Sequence, residues 1–564
     1  MKNRSKILRL GLIFAVGIIA VRLFFVQIIQ HDEWVAKAEA QHMMENKIVA
    51  KRGEIYMMDG DEKVVVAMNE TVYTVIVDPM VADREEVEKA VKKYIKEETR
   101  DVDFQEVFKD KTRRYYVLAK NIPRETAEKI RDEKVYGITF QENTKRFYPE
   151  GELASGLLGF VNLDGVGQYG VEGAFNEKLS GVDGLLKTVS DVNNVALSIG
   201  DDNIKIPAKD GEDVVLTVDR NIQYAAEKAL ANGMKRSKAT HASAIVMNPN
   251  NGEILAVANL PNYNPAEYWK VGGVENYINY AFEDPSEPAS VCKNFTFAAG
   301  IDQGVITPDT TYYNAGYTTV DGWKIDNAYK KKIGVITMQD AMSYSLNTGS
   351  IQTLRLLGGS ETEITQKGRE ILYEYYHDRF GLGEETGVEM NEAVGLIGDP
   401  NIGDGRNSMY ANMTFGQNIQ LTMIQVATAF SSLINGGEYY KPTIIKGGAG
   451  EPIRRTVSEA TSATLREMLI RARGIYRYAG DRAGVQVGGK TGTAQVIEDG
   501  KYILEETEAT YIGFGQEAGG MPAYVIMLRI WGDGLALDGG DDAMPIFTEL
   551  SNYMIDYLKL KPTK

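Results

Sequence analysis

The first pattern along the chain is a run of twenty residues, Leu10 to Ile29, broken only by Arg22 and Gln27 and preceded by Lys2, Arg4, Lys6 and Arg9. As a helix such a run spans about 30 Å, the thickness of a bilayer's hydrocarbon core. The basic flank predicts a cytoplasmic N-terminus over residues 1–9, an anchor over 10–30 and an exported remainder, extracytoplasmic on a single-pass protein of the cell membrane. Arg22 lies toward the outer end, where its side chain can snorkel to the headgroups. The rival is a cleaved signal peptide. Its only cleavage candidate, Ala36-Lys37-Ala38, lies well past the apolar run with His31, Asp32 and Glu33 between, so the anchor is favoured.

After the anchor the pattern becomes mixed. His31 to Asn46 reads as a polar helical stalk. Arg52 to Tyr56 and Val64 to Val66 alternate like strands around Asp59-Gly60. Arg84 to Glu98 and Arg124 to Lys134 read as charged helices, and Gly151 to Gly184 supplies turns without visible chemistry. Residues 31–211 form, on this reading, a non-catalytic pedestal.

The register changes near Val214, and residues 212–564 read as a second domain. Asp219 can cap a helix from Arg220 whose apolar positions Ile222, Ala225, Ala226 and Leu230 recur at helical spacing. Ala244–Met247 and Ile254–Val257 flank Asn250-Asn251-Gly252, a hairpin signal. Val485–Val496 and Ala523–Trp531 read as strands. Ile546, Phe547, Leu550, Tyr553, Met554, Tyr557 and Leu558 make one stripe of a closing helix, with Pro545 near its start. A hairpin, then helices, then strands and a terminal helix predict an α+β fold: an antiparallel sheet flanked by helices.

Composition narrows the function. With 564 residues, 43% hydrophobic and 25% charged, the chain is globular and long enough for several domains. Its net charge of −16 argues against nucleic acid as a partner. One cysteine excludes an internal disulfide, and four scattered histidines lack metal-ligand spacing, so no metal or cofactor is expected.

Three short patterns carry the chemistry: Ser290-Val291-Cys292-Lys293, Ser345-Leu346-Asn347, and Lys490-Thr491-Gly492 followed by Thr493. Singly, each is more simply a surface serine, a solvated lysine or a turn asparagine. Together and in this order they reverse that preference. On a helix, Ser290 and Lys293 share a face. A serine hydroxyl needs a neighbouring base, and Lys293 can serve only as a neutral amine, with its pKa brought down by desolvation, by Lys490 and by a helix N-terminus. Ser345 can relay a proton to a leaving amine. Asn347 can bind a peptide carbonyl or orient Lys293. Lys490 and Thr491 suit a substrate carboxylate, Gly492 allows a substrate backbone to lie close, and the N–H groups of Ser290 and Thr493 are candidate oxyanion donors. Cys292 points away from Ser290 and reads as a small buried hydrophobe. His241 reads as incidental.

At this point the chain resembles the class B, monofunctional penicillin-binding proteins, nearly end to end. Besides the three motifs, the likeness rests on Arg52-Gly53-Glu54-Ile55, Arg146-Phe147-Tyr148-Pro149, Leu158-Gly159-Phe160-Val161, Gly170-Val171-Glu172, Asn248-Pro249, Gly252-Glu253-Ile254-Leu255-Ala256 and Phe415-Gly416-Gln417. The resemblance implies a peptidoglycan D,D-transpeptidase. Ser290 would attack the penultimate D-Ala of a stem peptide ending in D-Ala-D-Ala and release the last one, then pass the acyl group to an amine on a neighbouring strand. β-Lactams would acylate the same serine. The likeness also implies Lys293 as base, Ser345 and Asn347 assisting, and Lys490, Thr491 and Thr493 holding carboxylate and oxyanion. It further implies a membrane glycan polymerase of the division or elongation machinery as partner. Length and the lack of a C-terminal extension lean toward division and septal synthesis. Ala289 and Asn418 stand where the family commonly has Gly, and Cys292 where it commonly has a larger residue. These departures bear on β-lactam affinity rather than on mechanism. The competing readings are a D,D-carboxypeptidase or β-lactamase, and a β-lactam sensor or inactive divisome scaffold. The large pedestal and anchor count against the first pair; the single span and intact catalytic groups count against the second.

Overall fold

The computed structural model describes residues 2–34, 43–110, 112–189, 204–328, 332–402, 406–476, 480–498 and 501–562. It divides into two compact units, Met1–Gly53 with Glu177–Glu212, and Glu54–Asn176 with Asp213–Lys564.

In the first unit a helix over Lys2–Phe24 continues as a wider turn over Phe25–Ile29. Within it Lys6–Ile29, with its side chains exposed, is the one helix among the described residues long and apolar enough to cross a membrane. The expected helical stalk is corrected. Among the described residues of that span His31–Trp34 is helical and Met43–Asn46 is strand; 35–42 lies outside the described residues. Met43–Ile48 is a strand, antiparallel to Gly184–Val189, which pairs in turn with Ile204–Ile206. The partner of Met43–Ile48 lies far along the chain, so local polarity could not reveal it.

The second unit opens with a five-stranded sheet in which Val214–Asp219 lies parallel to Ile55–Asp59. Ile55–Asp59 pairs with the long strand Glu62–Val77, and that strand pairs with both Tyr116–Pro123 and Ile138–Phe147. The expected charged helices form as Arg84–Tyr94 and Arg124–Asp132. Val87, Val91, Ala127 and Ile130 turn inward against Tyr73, Val75 and Val77, leaving the charges in water.

Downstream stands the expected antiparallel sheet: β1 (His241–Met247), β2 (Ile254–Leu260), β3 (Gln486–Glu498), β4 (Lys501–Gln516) and β5 (Pro522–Trp531). Their spatial order is β2-β1-β5-β4-β3, so β3 is an edge. The pattern had not marked β4, because Glu505, Glu506 and Glu508 interrupt its apolar run. The helices that serve the site are α1 (Arg220–Ser237), α2 (Lys293–Asp302), α3 (Asn347–Leu357), α4 (Met423–Ile434) and α5 (Met544–Tyr557). Asp219 caps α1 as expected, accepting from the N–H groups of Asn221 at 2.8 Å and Ile222 at 3.1 Å. One face of the sheet is covered by α1 and α5, through Ile222, Ala226, Leu230, Ile546, Phe547, Leu550 and Met554. Helix α4, buried along its whole length, packs on β1 and β5.

Glu227 on α1 ties this helix to two loops. Its carboxylate accepts from Ala154 N at 2.7 Å, Gln223 Nε2 at 2.9 Å and Asn262 Nδ2 at 3.0 Å. Burial pushes its pKa from 4.5 up to about 7, with the Glu152 charge adding and the three donors opposing. The folded chain therefore holds this proton more tightly than the unfolded chain does. The contribution is full below about pH 4.5 and is lost as pH rises through about 7. Glu227→Gln is expected to remove up to about 3 kcal/mol of that pH dependence. Urea unfolding of both chains at pH 5 and pH 8 checks it: a fall in stability that is identical in both would sink the assignment.

Candidate active site

The Ser290 segment is corrected in one respect. Ala289–Cys292 is a single 3₁₀ turn leading into α2, whose first residue is Lys293. Side chains three apart eclipse one another in a 3₁₀ turn, so Ser290 and Lys293 still share a side. Two glycines clamp the turn. A Cβ on Gly416 would run into the Ala289 peptide, and Ala289 N donates to Gly416 O at 3.1 Å. From the other flank, a Cβ on Gly492 would stand 3.1 Å from Pro288 O and 3.3 Å from Val291 Cγ1, and would collide with Thr510 Oγ1. The missing side chain of Gly492 thus makes room for the Pro288–Val291 turn.

Two of the family departures acquire a physical meaning here. Ala289 has φ of 55° and Asn418 of 58°, both left-handed. Alanine costs roughly 1 kcal/mol there; asparagine tolerates the region better. Asn418 N also donates to Glu287 Oε1 at 2.7 Å, which fixes the approach to the turn. A cavity of about 610 Å³ opens alongside, lined in part by Glu287, Arg406, Ser408 and Asn418. Cys292 is buried, and burial with the Glu287 charge pushes its thiol pKa well up, so it is an unreactive neutral thiol.

Ser345 occupies the corner between the helix Met338–Ser343 and α3, with a left-handed φ of 55°. Strain of this kind collects at functional sites. Both motif lysines converge on it. Lys293 Nζ donates to Ser345 O at 2.6 Å and lies 3.2 Å from Ser345 Oγ, while Lys490 Nζ donates to the same Oγ at 2.7 Å. Burial, then the Lys490 charge, lowers the Lys293 pKa well below 10.5. Burial also brings Lys490 down to about 7, opposed by the Asp538 carboxylate. A neutral Lys293 has two N–H donors for Ser345 and one lone pair left over for a proton. The two amines fill both lone pairs of Ser345 Oγ, which frees its own O–H to donate onward. Among the described residues Ser290 Oγ makes no hydrogen bond, so the hydroxyl is uncommitted. The Asn347 amide donates to Asp326 O at 3.0 Å and not to Lys293. Lys293 Nζ is held instead by the Ser345 carbonyl and hydroxyl.

Lys490, Thr491, Gly492 and Thr493 lie on β3, in register with Ile512, Tyr511, Thr510 and Ala509 of β4. As an edge strand, β3 leaves alternate backbone groups unpaired by the sheet. Lys490 is additionally held by Thr491 O at 2.9 Å. Thr493 Oγ1 accepts from Gly539 N at 3.1 Å, within the Asp538–Ala543 turn that precedes α5. His241 stacks on Trp531 at 5.3 Å and takes no part.

Sequence reasoning missed two supports. Asp538 is one, and its signal was an Asp-Gly-Gly turn directly before the closing helix. Arg529 is the other, a lone charge in the apolar run of β5. It is buried, donating to Glu508 Oε2 at 2.7 Å, Glu508 Oε1 at 2.9 Å and Asp284 Oδ2 at 2.7 Å. It thereby pins the segment that leads to Ser290. Arg529→Met leaves the mostly buried Glu508 carboxylate unpaired and is expected to cost about 3–5 kcal/mol. Adding Glu508→Gln should restore part of this in urea unfolding; a double variant no more stable than the single would refute the pairing.

Comparison with known proteins agrees with this arrangement. Residues 242–552 match the Penicillin binding protein transpeptidase domain, and residues 47–216 the Penicillin-binding Protein dimerisation domain. Stage V sporulation protein D of Bacillus subtilis is 29% identical over 97% of this chain and 84% of its own length. PbpB of Mycobacterium tuberculosis is 30% identical over 73% of this chain and 61% of its own. A probable peptidoglycan D,D-transpeptidase, PenA of Neisseria meningitidis, is 29% identical over 79% of this chain and 74% of its own. The fold is also that of Penicillin Binding Protein 2X from Streptococcus thermophilus, with a TM-score of 0.74 at 22% identity, covering 92% of this chain and 80% of that one. With both family domains present and the three motifs gathered around one serine corner, the chain belongs to the class B penicillin-binding proteins.

Proposed function

We propose that the chain is a serine D,D-transpeptidase that cross-links peptidoglycan stem peptides. The observation that carries this reading is the convergence of Lys293 and Lys490 on the Ser345 hydroxyl beside an uncommitted Ser290. Ser290 Oγ attacks the penultimate D-Ala carbonyl while Lys293 takes its proton. The tetrahedral oxyanion is met by the N–H groups of Ser290 and Thr493. As it collapses, the C–N bond to the terminal D-Ala breaks and Ser345 protonates the leaving amine, itself resupplied by the lysine pair. An acceptor amine then attacks the ester by the reverse path and Ser290 leaves with its proton. Lys490, Thr491 and Thr493 hold the substrate carboxylate, Gly492 keeps β3 close to the nucleophile, and Asn347 lines the opposite wall. β-Lactams acylate the same serine. One protein of this fold, Penicillin binding protein 3 of Mycobacterium tuberculosis, is seen in separate structures complexed with aztreonam and with ampicillin.

The same reading makes residues 31–211 the pedestal and 212–564 the catalytic domain, anchored by residues 10–30 with the catalytic part outside the membrane. An epitope before Arg9 that stays with the mature protein supports the anchor; a new N-terminus near Glu39 refutes it. A membrane glycan polymerase supplies the strands. The setting is septal or lateral-wall synthesis, and a tagged copy concentrating at midcell would support the first.

Transfer rather than hydrolysis follows from the absence of His or Glu in the three motifs to activate water. The test uses purified full-length protein with polymerised, lipid-linked glycan, read by mass spectrometry of the digested muropeptides. Cross-linked dimers are expected. Trimmed peptides without dimers, with the polymerase present, would make the chain a carboxypeptidase.

A further inference from the structure

Helix α3 begins at Asn347, so the second motif ends where this helix starts. Its N-cap residue is Leu346, whose side chain has no oxygen to accept an N–H of the first turn. A helix start without such an acceptor is costly when buried. The missing cap comes from a distant segment. Asn327, itself buried, follows a short antiparallel ribbon of Tyr317–Val320 with Trp323–Asp326, and its Oδ1 accepts from Thr348 N at 3.0 Å. Its Nδ2 donates to Asn314 Oδ1 at 3.1 Å and to Thr348 Oγ1 at 3.2 Å. Asn314 Oδ1 also accepts from Thr348 Oγ1 at 3.0 Å and from Gly316 N at 3.0 Å, and the Tyr312 hydroxyl lies 3.0 Å from Thr348 Oγ1. The peptide before Asn327 meets the motif itself. Asp326 O accepts from Asn347 Nδ2 at 3.0 Å, while Asn327 N donates to Gly316 O at 3.0 Å.

We propose that Asn327 is a positioning residue for Asn347: it caps α3 from the ribbon and fixes the Asp326 carbonyl against the Asn347 amide. The inference rests on the reading of Asn347 as a wall of the substrate cleft and names what holds it there. An asparagine amide turns easily about its last torsion. Asn347 Nδ2 carries two protons, and giving one to Asp326 O stops that rotation. The second proton and the amide oxygen are left, in one orientation, for a substrate peptide group. The network sets the backbone beneath the amide as well, because Asn327 binds both the N–H and the hydroxyl of Thr348, the next residue of the same turn. Buried polar networks with their bonds made are rigid. Rigidity matters here because a misplacement of about 1 Å in a substrate-positioning group can cost on the order of 10² in rate. A network that served the fold alone would stabilise the chain equally well, but its loss would not pass through Asn347.

The experiment uses the full chain and two β-lactams: benzylpenicillin, and 6-aminopenicillanic acid, which has the same ring but lacks the acylamino carbonyl that an Asn347 N–H would meet. Asn327→Ala is expected to slow acylation by benzylpenicillin about tenfold or more. Acylation by 6-aminopenicillanic acid should change less than about twofold, which also shows that the variant is folded. Added to Asn347→Ala, Asn327→Ala should again change the benzylpenicillin rate less than about twofold, because the group it positions is gone. If the alanine chain proves unstable in urea, Asn327→Ser, which keeps a hydroxyl in the network, takes its place in the same measurements. Equal slowing with both β-lactams, or losses that add in the double variant, assigns Asn327 to the fold alone and overturns the proposal. An Asn327→Ala chain as fast as wild type, beside a slow Asn347→Ala, overturns it too and leaves the role of Asn347 intact. If Asn347→Ala itself reacts at the wild-type rate, the substrate role of Asn347 has failed and the proposal falls with it. A wild type that takes neither β-lactam defeats the transpeptidase reading, and this proposal as its consequence.

Discussion

A labelled penicillin is expected to add one drug mass to the wild-type chain, on the peptide holding Ser290, and none to Ser290→Ala. Loss should be complete, because no other nucleophile occupies the position. Cys292, two residues on, is fully buried with its thiol pKa pushed well up, so it cannot take over as a thiolate. The variant should keep its fold, since the Ser290 hydroxyl makes no hydrogen bond among the described residues. Removing an uncommitted hydroxyl leaves no partner stranded. Intact-mass spectrometry followed by peptide mapping reads the outcome. A label that survives in Ser290→Ala, or that maps to Cys292, would refute the assignment of the nucleophile.

Much of the catalytic sheet was legible because its signals are local. The Asn251-Gly252 turn declares the β1–β2 hairpin, Asp219 declares the start of α1, and the stripe Ile546, Phe547, Leu550, Met554 declares α5. What escaped was set by partners distant in sequence. Met43–Ile48 is a strand only because Gly184–Val189 pairs with it. Strand β4, too polar at its start to be recognised, is completed by β3 on one side and β5 on the other.

The site shows the same division. Residue types and spacing singled out Ser290, Lys293, Ser345 and Lys490, and the structure brings both lysines onto the Ser345 hydroxyl. The roles of the smaller members depend on packing that spacing does not encode. Gly492 faces the Pro288–Val291 turn, and Asn347 is committed to the Asp326 carbonyl. Arg529 and Asp538 act through other residues, so no substrate chemistry pointed to them. Their only trace was a charge or an Asp-Gly-Gly step where the surrounding pattern was apolar.

Lys293→Met is expected to slow acylation by penicillin on the order of 10³–10⁴-fold while leaving the chain folded, the range for removing a positioned general base. Methionine has a similar length but gives up the two N–H bonds to Ser345 as well as the lone pair, so a stability loss of about 1–3 kcal/mol is expected beside the catalytic one. The pH profile separates this role from a structural one. Wild-type acylation should rise with pH through the pKa of Lys293, which burial and the Lys490 charge hold well below 10.5. Lys490→Ala removes that like charge, so the Lys293 pKa should move up and the acid limb of the profile with it. The variant should therefore be slower at neutral pH and recover in part at higher pH. In Lys293→Met the limb should vanish, leaving a slow and nearly flat rate. Stopped-flow acylation from pH 5 to 10 on the three chains measures this. If Lys293→Met reacts at near the wild-type rate, or if Lys490→Ala leaves the limb in place, a different group takes the Ser290 proton.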